Sequence, residues 1–154
     1  MFNVVLVEPE IPPNTGNVGR LCVATKSTLH LIKPLGFSLD DRQLKRAGLD
    51  YWDDVDLKVW ESLDELRNAN GAARFFFVTT KSKQAYWDIE FQAGDFLIFG
   101  RETKGLPEAL LKANTGHCIT IPMAGTRSLN LATAVAIVLF EAVRQQRSGE
   151  DGVE

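Results

Sequence analysis

The sequence predicts a single α/β domain in which a mostly parallel β-sheet carries helices on both faces. Strand-like apolar runs alternate along the chain with capped runs of helical character, which is the pattern of this fold class. The 154 residues are about one domain in length, and a composition of 45% apolar and 24% charged residues is typical of a folded globular protein. The sequence contains no evident internal repeat or linker. We therefore assign residues 1–146 to one domain and expect the polar residues 147–154 to form a mobile tail.

Each element is predicted from a local signal. The run Phe75-Phe76-Phe77-Val78 is apolar on both faces, as in a buried central strand. Ser62-Leu63-Asp64-Glu65 is a capping box, Asn14 can cap the helix that follows the first strand, and Gly48 suits the left-handed position after a helix. The predicted strands are 2–7, 29–32, 55–60, 74–79, 96–99 and 117–121. The predicted helices are 14–25, 38–48, 62–70, 107–114 and 130–146.

The composition excludes several classes of protein. A net charge of −3 excludes attraction of the whole molecule to nucleic acid or to an anionic membrane, so any such binding must use a local patch. Cys22 and Cys118 lack metal-ligand spacing, as do the two histidines, so we expect no metal site and two buried thiols in a reducing compartment. The longest uncharged apolar stretch, 128–140, is shorter than the roughly 20 residues of a membrane span, and the N-terminus does not resemble a signal peptide. We expect a soluble, cytoplasmic protein that does not enter a membrane.

Three polar, glycine-bearing turns at predicted strand ends carry the chemical signal. They are N-T-G-N-V-G-R at 14–20, F-G-R-E-T-K-G-L-P at 99–107 and I-P-M-A-G-T-R-S-L-N-L at 121–131. The carboxyl ends of parallel strands are where α/β sheets bind ligands, so the cations of these turns are well placed for chemistry. The first turn lacks the spacing of a phosphate-binding P-loop. Either Ser128 or Asn130 can cap the final helix, which leaves the third turn more polar than capping requires.

In this order and spacing, the motifs N-T-G-N-x-x-R, F-G-x-E-x-x-G-L-P and I-P-M-x-x-x-x-S-L-N resemble the SPOUT class of RNA 2′-O-ribose methyltransferases. The resemblance is closest to the TrmL branch, which methylates the tRNA wobble nucleotide, and it extends over residues 8–17 and 46–51. It implies a SPOUT fold with a deep trefoil knot at the C-terminal end. It also implies S-adenosyl-L-methionine as methyl donor and no metal.

The resemblance assigns roles to residues. Those implied to bind the donor are Val78, Thr79, Gly100, Ile121, Ser128 and Leu129. Arg20 is implied to lie beside the reacting ribose, and Glu102 and Asn130 are expected to hold its guanidinium. Because a guanidinium is a poor general base, we expect Arg20 to bind the adjacent phosphate and orient the 2′-hydroxyl. The residues expected to bind RNA are Asn14, Arg42, Lys45, Arg46, Arg101 and Arg127. For the helical group at 42–46 a solvated surface is the simpler interpretation, and the role of Arg101 is left open.

The implied reaction is methylation of the ribose 2′-hydroxyl of the wobble nucleotide, cytidine or modified uridine, in tRNA, with leucine isoacceptors expected. The first predicted strand begins at residue 2, which leaves no room for a separate N-terminal RNA-binding domain. We therefore expect a homodimer whose pooled cations bind the anticodon stem-loop. Two alternatives stay open, namely an rRNA ribose methyltransferase of the same fold and a non-catalytic RNA- or nucleotide-binding module. A flavin or dinucleotide module is disfavoured because the first turn lacks GxGxxG.

Overall fold

In the part of the chain that the structure describes, six strands form one central parallel sheet. The computed structural model describes residues 1–150, the last three by their backbone alone. The strands are β1 (Asn3–Val7), β2 (Thr28–Ile32), β3 (Asp56–Trp60), β4 (Phe75–Val78), β5 (Phe96–Phe99) and β6 (Cys118–Ile119). Their order across the sheet is β3-β2-β1-β5-β4-β6, and every neighbouring pair is parallel. The predicted fold class is confirmed.

Within residues 1–150, five α-helices connect and cover the strands. They are α1 (Pro12–Thr25), α2 (Arg42–Gly48), α3 (Leu63–Ala69), α4 (Glu108–Ala113) and α5 (Leu131–Glu150). Short 3₁₀ turns occupy Leu49–Asp54, Tyr86–Asp88 and Thr115–His117. Since successive strand residues point to opposite faces, Val4 and Leu6 pack with α1 and α5, whereas Val5 and Val7 pack on the opposite face, which α3 and α4 cover. The core is therefore two apolar layers separated by the sheet.

Close packing of α1 on α2 depends on glycine. A Cβ added to Gly16 of α1 would overlap the carbonyl oxygen of Leu44, and one added to Gly19 would lie 2.8 Å from the Trp52 ring. Only a residue without a side chain lets these backbones approach so closely. This contact places α2 and the 3₁₀ turn after it directly against the first helix.

A buried polar chain stabilises the inner strands. His30 is 2% exposed; its Nδ1 accepts a hydrogen bond from Trp60 Nε1 at 3.0 Å, and its Nε2 lies 2.8 Å from Asn3 Oδ1. The Asn3 amide nitrogen donates to the carbonyl of Gly94, which fixes its oxygen toward the imidazole. The imidazole is therefore neutral with its proton on Nε2. Burial, together with nearby Lys58, lowers its pKa from 6.5 to about 4.

Several predicted boundaries need correction. Asn14 is not the cap of α1, because the helix already begins at Pro12 and Asn14 lies in its first turn. Gly48 has an ordinary φ of −72°, and it is Leu49 that takes the positive φ of 51° with ψ of −138°, a conformation that costs a leucine about 1–3 kcal/mol. The predicted cap at Ser62 is confirmed, since its hydroxyl accepts from Glu65 N.

The two ends of the last third also differ from the prediction. β6 contains two residues instead of the five predicted, and Thr120 forms only an isolated bridge with Ala85. The final helix runs to Glu150, past the predicted end at Gln146, and residues 151–154 of the predicted tail lie outside the described residues. The trefoil knot stays a prediction. In the described part of the chain, none of the helices is long and apolar enough to cross a membrane.

Candidate active site

The candidate site lies where the strand order reverses. The chain builds outward from β1 through β2 to β3, and then returns to the other side of β1 with β5 and β4. At such a switch point the loops leaving two adjacent strands run in opposite directions and open a crevice at the carboxyl ends. The turns after β1 and β5 therefore meet, and those after β4 and β6 lie next to them.

A cavity of about 600 Å³ occupies this crevice. All six residues predicted to bind the donor line it, together with Phe99, Leu106 and Met123 as further apolar walls. Its size lies within the range of small-molecule sites, and its walls combine apolar side chains with the backbone of three turns. The predicted residues that it brings together are Val78, Thr79, Gly100, Ile121, Ser128, Leu129, Asn14, Arg101, Glu102, Arg127 and Asn130.

One hydrogen-bonded chain joins the three predicted turns. Glu102, after β5, accepts from the backbone N–H of Glu10 at 2.8 Å and of Ile11 at 2.9 Å, and from Asn14 Nδ2 at 3.2 Å. Asn14 Oδ1 in turn accepts from Asn130 Nδ2 at 3.0 Å. The carboxylate thus occupies the N-terminal end of α1, where no side chain of the helix itself provides a cap.

The carboxylate determines the direction of this chain. A carboxylate only accepts, so Asn14 must present its NH₂ to Glu102 and its carbonyl oxygen to Asn130. Asn130 then donates through Nδ2, and its Oδ1 accepts from Thr133 N at 3.2 Å, which caps α5. Of the two predicted cap residues for the final helix, Asn130 is the one that caps it. The two amides are therefore held in one orientation each.

A second contact joins the segment after β1 to the turn after β5. Glu10 Oε1 accepts from Thr103 Oγ1 at 2.8 Å and from Thr103 N at 3.1 Å. These hydrogen bonds, with Arg101 and Lys104 nearby, lower the pKa of the Glu10 carboxyl. Sequence reasoning assigned no role to Glu10 or Thr103, although both lie inside the quoted motifs.

Two glycines shape the loop after β5. A Cβ on Gly100 would overlap the backbone of Gly105 and Leu106. Gly105 has a φ of 65°, and its N–H donates to the carbonyl of Arg101 at 2.8 Å. The F-G-x-E-x-x-G spacing therefore folds the loop back on itself and turns the Glu102 side chain toward β1.

Arg20 lies outside this chain. It lines a second cavity, of about 750 Å³, between α1 and α5, together with Asn17, Tyr51 and Thr133. Within the described residues its guanidinium has no hydrogen-bond or ion-pair partner, and the oxygens of Glu102 are occupied by the three donors above. The expected hold of Glu102 and Asn130 on Arg20 is thus not formed. Asn130 is the one described residue that lines both cavities.

The residues predicted to bind RNA lie in three places. Arg101 and Arg127 line the first cavity. Arg42, Lys45 and Arg46 are exposed on α2, where Lys45 lies 3.6 Å from Asp40. Asn14 is 7% exposed and bound on both sides, so it contributes to the hydrogen-bonded chain instead of an open surface.

The cysteines and histidines do not converge. Cys22 and Cys118 are buried free thiols, as predicted, and burial raises the pKa of Cys22 to about 12. Among residues 1–150, no group of three or more His, Cys, Asp or Glu side chains is placed to hold a metal ion.

The fold is that of a methyltransferase family. The sequence matches the SpoU rRNA methylase family over residues 1–140, and the chain belongs to that family. It is 50% identical over 147 residues to a tRNA (cytidine(34)-2′-O)-methyltransferase of Methylovorus glucosotrophus, covering 94% of this chain and 96% of that protein. A solved structure described as insights into the 2-OH methylation of C/U34 on tRNA has a TM-score of 0.92 and 45% identity, covering 96% of this chain and 97% of the other.

A more distant relative shows the fold with a donor bound. The AdoMet-bound rRNA methyltransferase of Sinorhizobium meliloti has a TM-score of 0.83 and 26% identity, and the match covers 93% of this chain and 56% of that one. The resemblance predicted from the three motifs is therefore confirmed, and the protein is an enzyme of the methyltransferase class. The alternative of a non-catalytic binding module is wrong.

Proposed function

We propose that the protein transfers a methyl group from S-adenosyl-L-methionine to the ribose 2′-hydroxyl of nucleotide 34 of tRNA. The observation that carries this is the hydrogen-bonded chain from Glu102 through Asn14 to Asn130, which joins the three turns between two adjoining cavities. The relatives of about 50% identity that are named for C34 methylation favour tRNA over rRNA. Cytidine or modified uridine is the expected target, with leucine isoacceptors as the first tRNAs to examine.

The first cavity suits the donor. Val78, Ile121 and Leu129 offer apolar surface for a purine ring, while the carbonyl of Thr79, whose N–H already donates to Ile119, and the backbone of Gly100 line the same cavity. When bound, S-adenosyl-L-methionine supplies an electrophilic methyl carbon on a sulfonium, so the protein needs only to bind and align it. The six predicted residues are those that would hold it.

The second cavity suits the acceptor. Arg20 is its one charged lining residue in the described part of the chain, and a guanidinium binds a phosphate oxygen pair well. A ribose beside Arg20 would face the donor across Asn130, whose orientation Glu102 sets through Asn14. Among the described residues, the linings of the two cavities contain no histidine, and their only carboxylate is the occupied Glu102. Alignment of hydroxyl and methyl group is therefore the main contribution of these residues, and the proton that the hydroxyl loses passes to solvent as the S–C bond breaks.

The test separates the two cavities. Arg20→Ala should abolish methylation of tRNA while donor affinity, measured by isothermal titration, stays within about twofold. The control is Lys112→Ala, an exposed cation on α4 at the opposite face of the sheet, which should change neither.

Total RNA from cells that lack the gene is incubated with the purified enzyme and S-adenosyl-L-methionine, and mapping the methylated nucleotide then identifies the substrate. Restored 2′-O-methylation at position 34 of tRNA supports the proposal. Methylation confined to rRNA, or loss of donor binding in Arg20→Ala, would overturn it.

We propose further that two copies of the chain form the working enzyme. Beyond the residues that line the second cavity, the outward side of α5 presents Ile137 and Phe140, and Phe140 is 44% exposed. A second copy is the occupant we assign to this stripe, because pooling two sets of cations would let a protein of net charge −3 bind RNA. Sedimentation should give twice the mass of one chain, and Phe140→Glu should give monomers. A wild-type monomer at assay concentration would refute the dimer.

The anticodon stem-loop is the part of tRNA that we expect the enzyme to bind, with Arg42 and Arg46 contacting its phosphates. An isolated stem-loop oligonucleotide should then be methylated with a KM close to that of whole tRNA. The cytoplasm is the compartment we propose, since tRNA is found there and both thiols are free.

A further inference from the structure

An exposed aromatic residue lines the cavity that contains Arg20. Tyr51 is 48% exposed, and it lines that cavity together with the small residues Ala132 and Ala136 of α5. A large aromatic side chain that stays half-open in a concave site is poised to cover a flat partner. The cavity, of about 750 Å³, has room for a nucleoside.

The backbone around Tyr51 is built to present it. The preceding Leu49 has the positive φ of 51°, which turns the chain out of α2. The following Trp52 packs its ring against Gly19 of α1, where no side chain separates them. Tyr51 therefore lies between the sharp turn at Leu49 and the buried contact of Trp52 with Gly19, next to the helix that carries Arg20.

The charge of the cavity indicates what it binds. Besides Arg20, its lining consists of amides, a hydroxyl and apolar groups: Asn17, Leu21, Val23, Ala24, Tyr51, Asn130, Ala132, Thr133 and Ala136. One cation with one aromatic face is the combination that binds one phosphate and one base of single-stranded nucleic acid. Aromatic stacking is tolerant of base identity, which suits an enzyme acting on an unpaired loop nucleotide.

We propose that Tyr51 is a positioning residue that stacks on the base of the nucleotide to be methylated, while Arg20 binds its phosphate. The inference rests on the proposed function, because it assigns the acceptor nucleotide to this cavity. Tyr51 touches the base and not the reacting atoms, so it sets where the ribose lies.

Three variants test the stacking. Tyr51→Leu keeps an apolar side chain but removes the ring, and should raise the KM for tRNA by about tenfold, within the range that one base–aromatic stack is worth. Tyr51→Phe keeps the ring and should stay within about twofold of wild type. The matched control is Trp87→Leu, which removes a side chain that is 55% exposed and lines neither cavity. Donor affinity by titration should not change in any of them.

A substrate lacking the base at the target position gives the sharper readout. The abasic tRNA should bind wild-type enzyme about tenfold more weakly, and Tyr51→Leu should add no further loss, because both changes remove the same contact. If the loss of tRNA affinity caused by removing the base and the loss caused by Tyr51→Leu instead multiply, the inference is overturned. A change in sedimentation of Tyr51→Leu would also overturn it, by placing Tyr51 in the subunit interface.

These outcomes are distinct from failure of the proposed function. If the wild-type enzyme methylates another nucleotide, the proposal of nucleotide 34 as target is wrong. The comparison of Tyr51→Leu with a tRNA that lacks the base of that other nucleotide still decides the role of Tyr51.

Discussion

Replacement of Glu102 by glutamine tests the part of the site on which the geometry depends. The two side chains have the same shape, but glutamine replaces one acceptor oxygen with an NH₂ donor. If its remaining oxygen keeps the bond from Glu10 N, the NH₂ faces Ile11 N and Asn14 Nδ2, which are both donors. The hydrogen bonds from Ile11 N and Asn14 Nδ2 are lost, and both donors then face the NH₂ group of the glutamine, which is also a donor.

The expected loss of stability follows from these contacts. Each hydrogen bond to a charged partner contributes about 1.5–3 kcal/mol, but the Ile11 bond is exposed to solvent, which reduces its share. We expect the free energy of unfolding to fall by about 2–3 kcal/mol. Rotation of the Asn14 amide would not rescue the loss, because it would oppose Asn130 Nδ2 with a second donor.

Urea unfolding at pH 7 measures this loss, with Glu108→Gln as the matched control. Glu108 is 68% exposed and lies 3.7 Å from Lys81, so its replacement should change stability by about 0.5 kcal/mol or less. At a temperature where Glu102→Gln is fully folded, methylation should still fall, because Asn130 loses its fixed orientation. Equal effects of the two substitutions would refute the role assigned to Glu102.

Two further predictions concern packing and pH. Gly16→Ala should lower the free energy of unfolding by about 1–3 kcal/mol, because its Cβ overlaps the Leu44 carbonyl oxygen. The control Gly116→Ala, whose Cβ would have nothing within 4 Å, should be nearly neutral. Equal effects of the two substitutions in thermal unfolding would contradict the role given to Gly16. The pKa of His30 is about 4 in the folded protein against an ordinary 6.5, so the unfolded chain binds the proton first as the pH falls. The free energy of unfolding should therefore be highest above pH 6.5 and fall by up to about 3 kcal/mol as the pH drops to 4. Urea unfolding across this range should show the fall in wild type and lose it in His30→Gln, and parallel profiles would refute it.

Local patterns were enough to predict most of the elements. β4 and β5 were predicted within two residues because runs such as Phe75-Phe76-Phe77-Val78 are apolar on both faces and short. The Ser62 cap was predicted because its partner lies three residues away. The short β6 was overestimated, since pairing, and not apolarity, decides where a strand ends.

The site was predicted in part. All six residues expected at the donor line one cavity because they were carried by motifs at strand ends, and the strands are parallel. Asn14 was expected as a helix cap and an RNA contact, but its local pattern could not show that an acceptor would arrive from a distant loop. Glu10 was missed for the same reason, since its partner Thr103 lies 93 residues away.

The sequence by itself determined the fold class, most of the strands and helices, and the chemical identity of the three turns, because each of these depends on neighbours along the chain. Only the tertiary structure decided that Glu102 binds Asn14, 88 residues away, and leaves Arg20 to a separate cavity. That choice depends on β5 pairing beside β1, a sheet order set by the packing of the whole chain. Side chains from the ends of those two strands can meet only after the strands have paired.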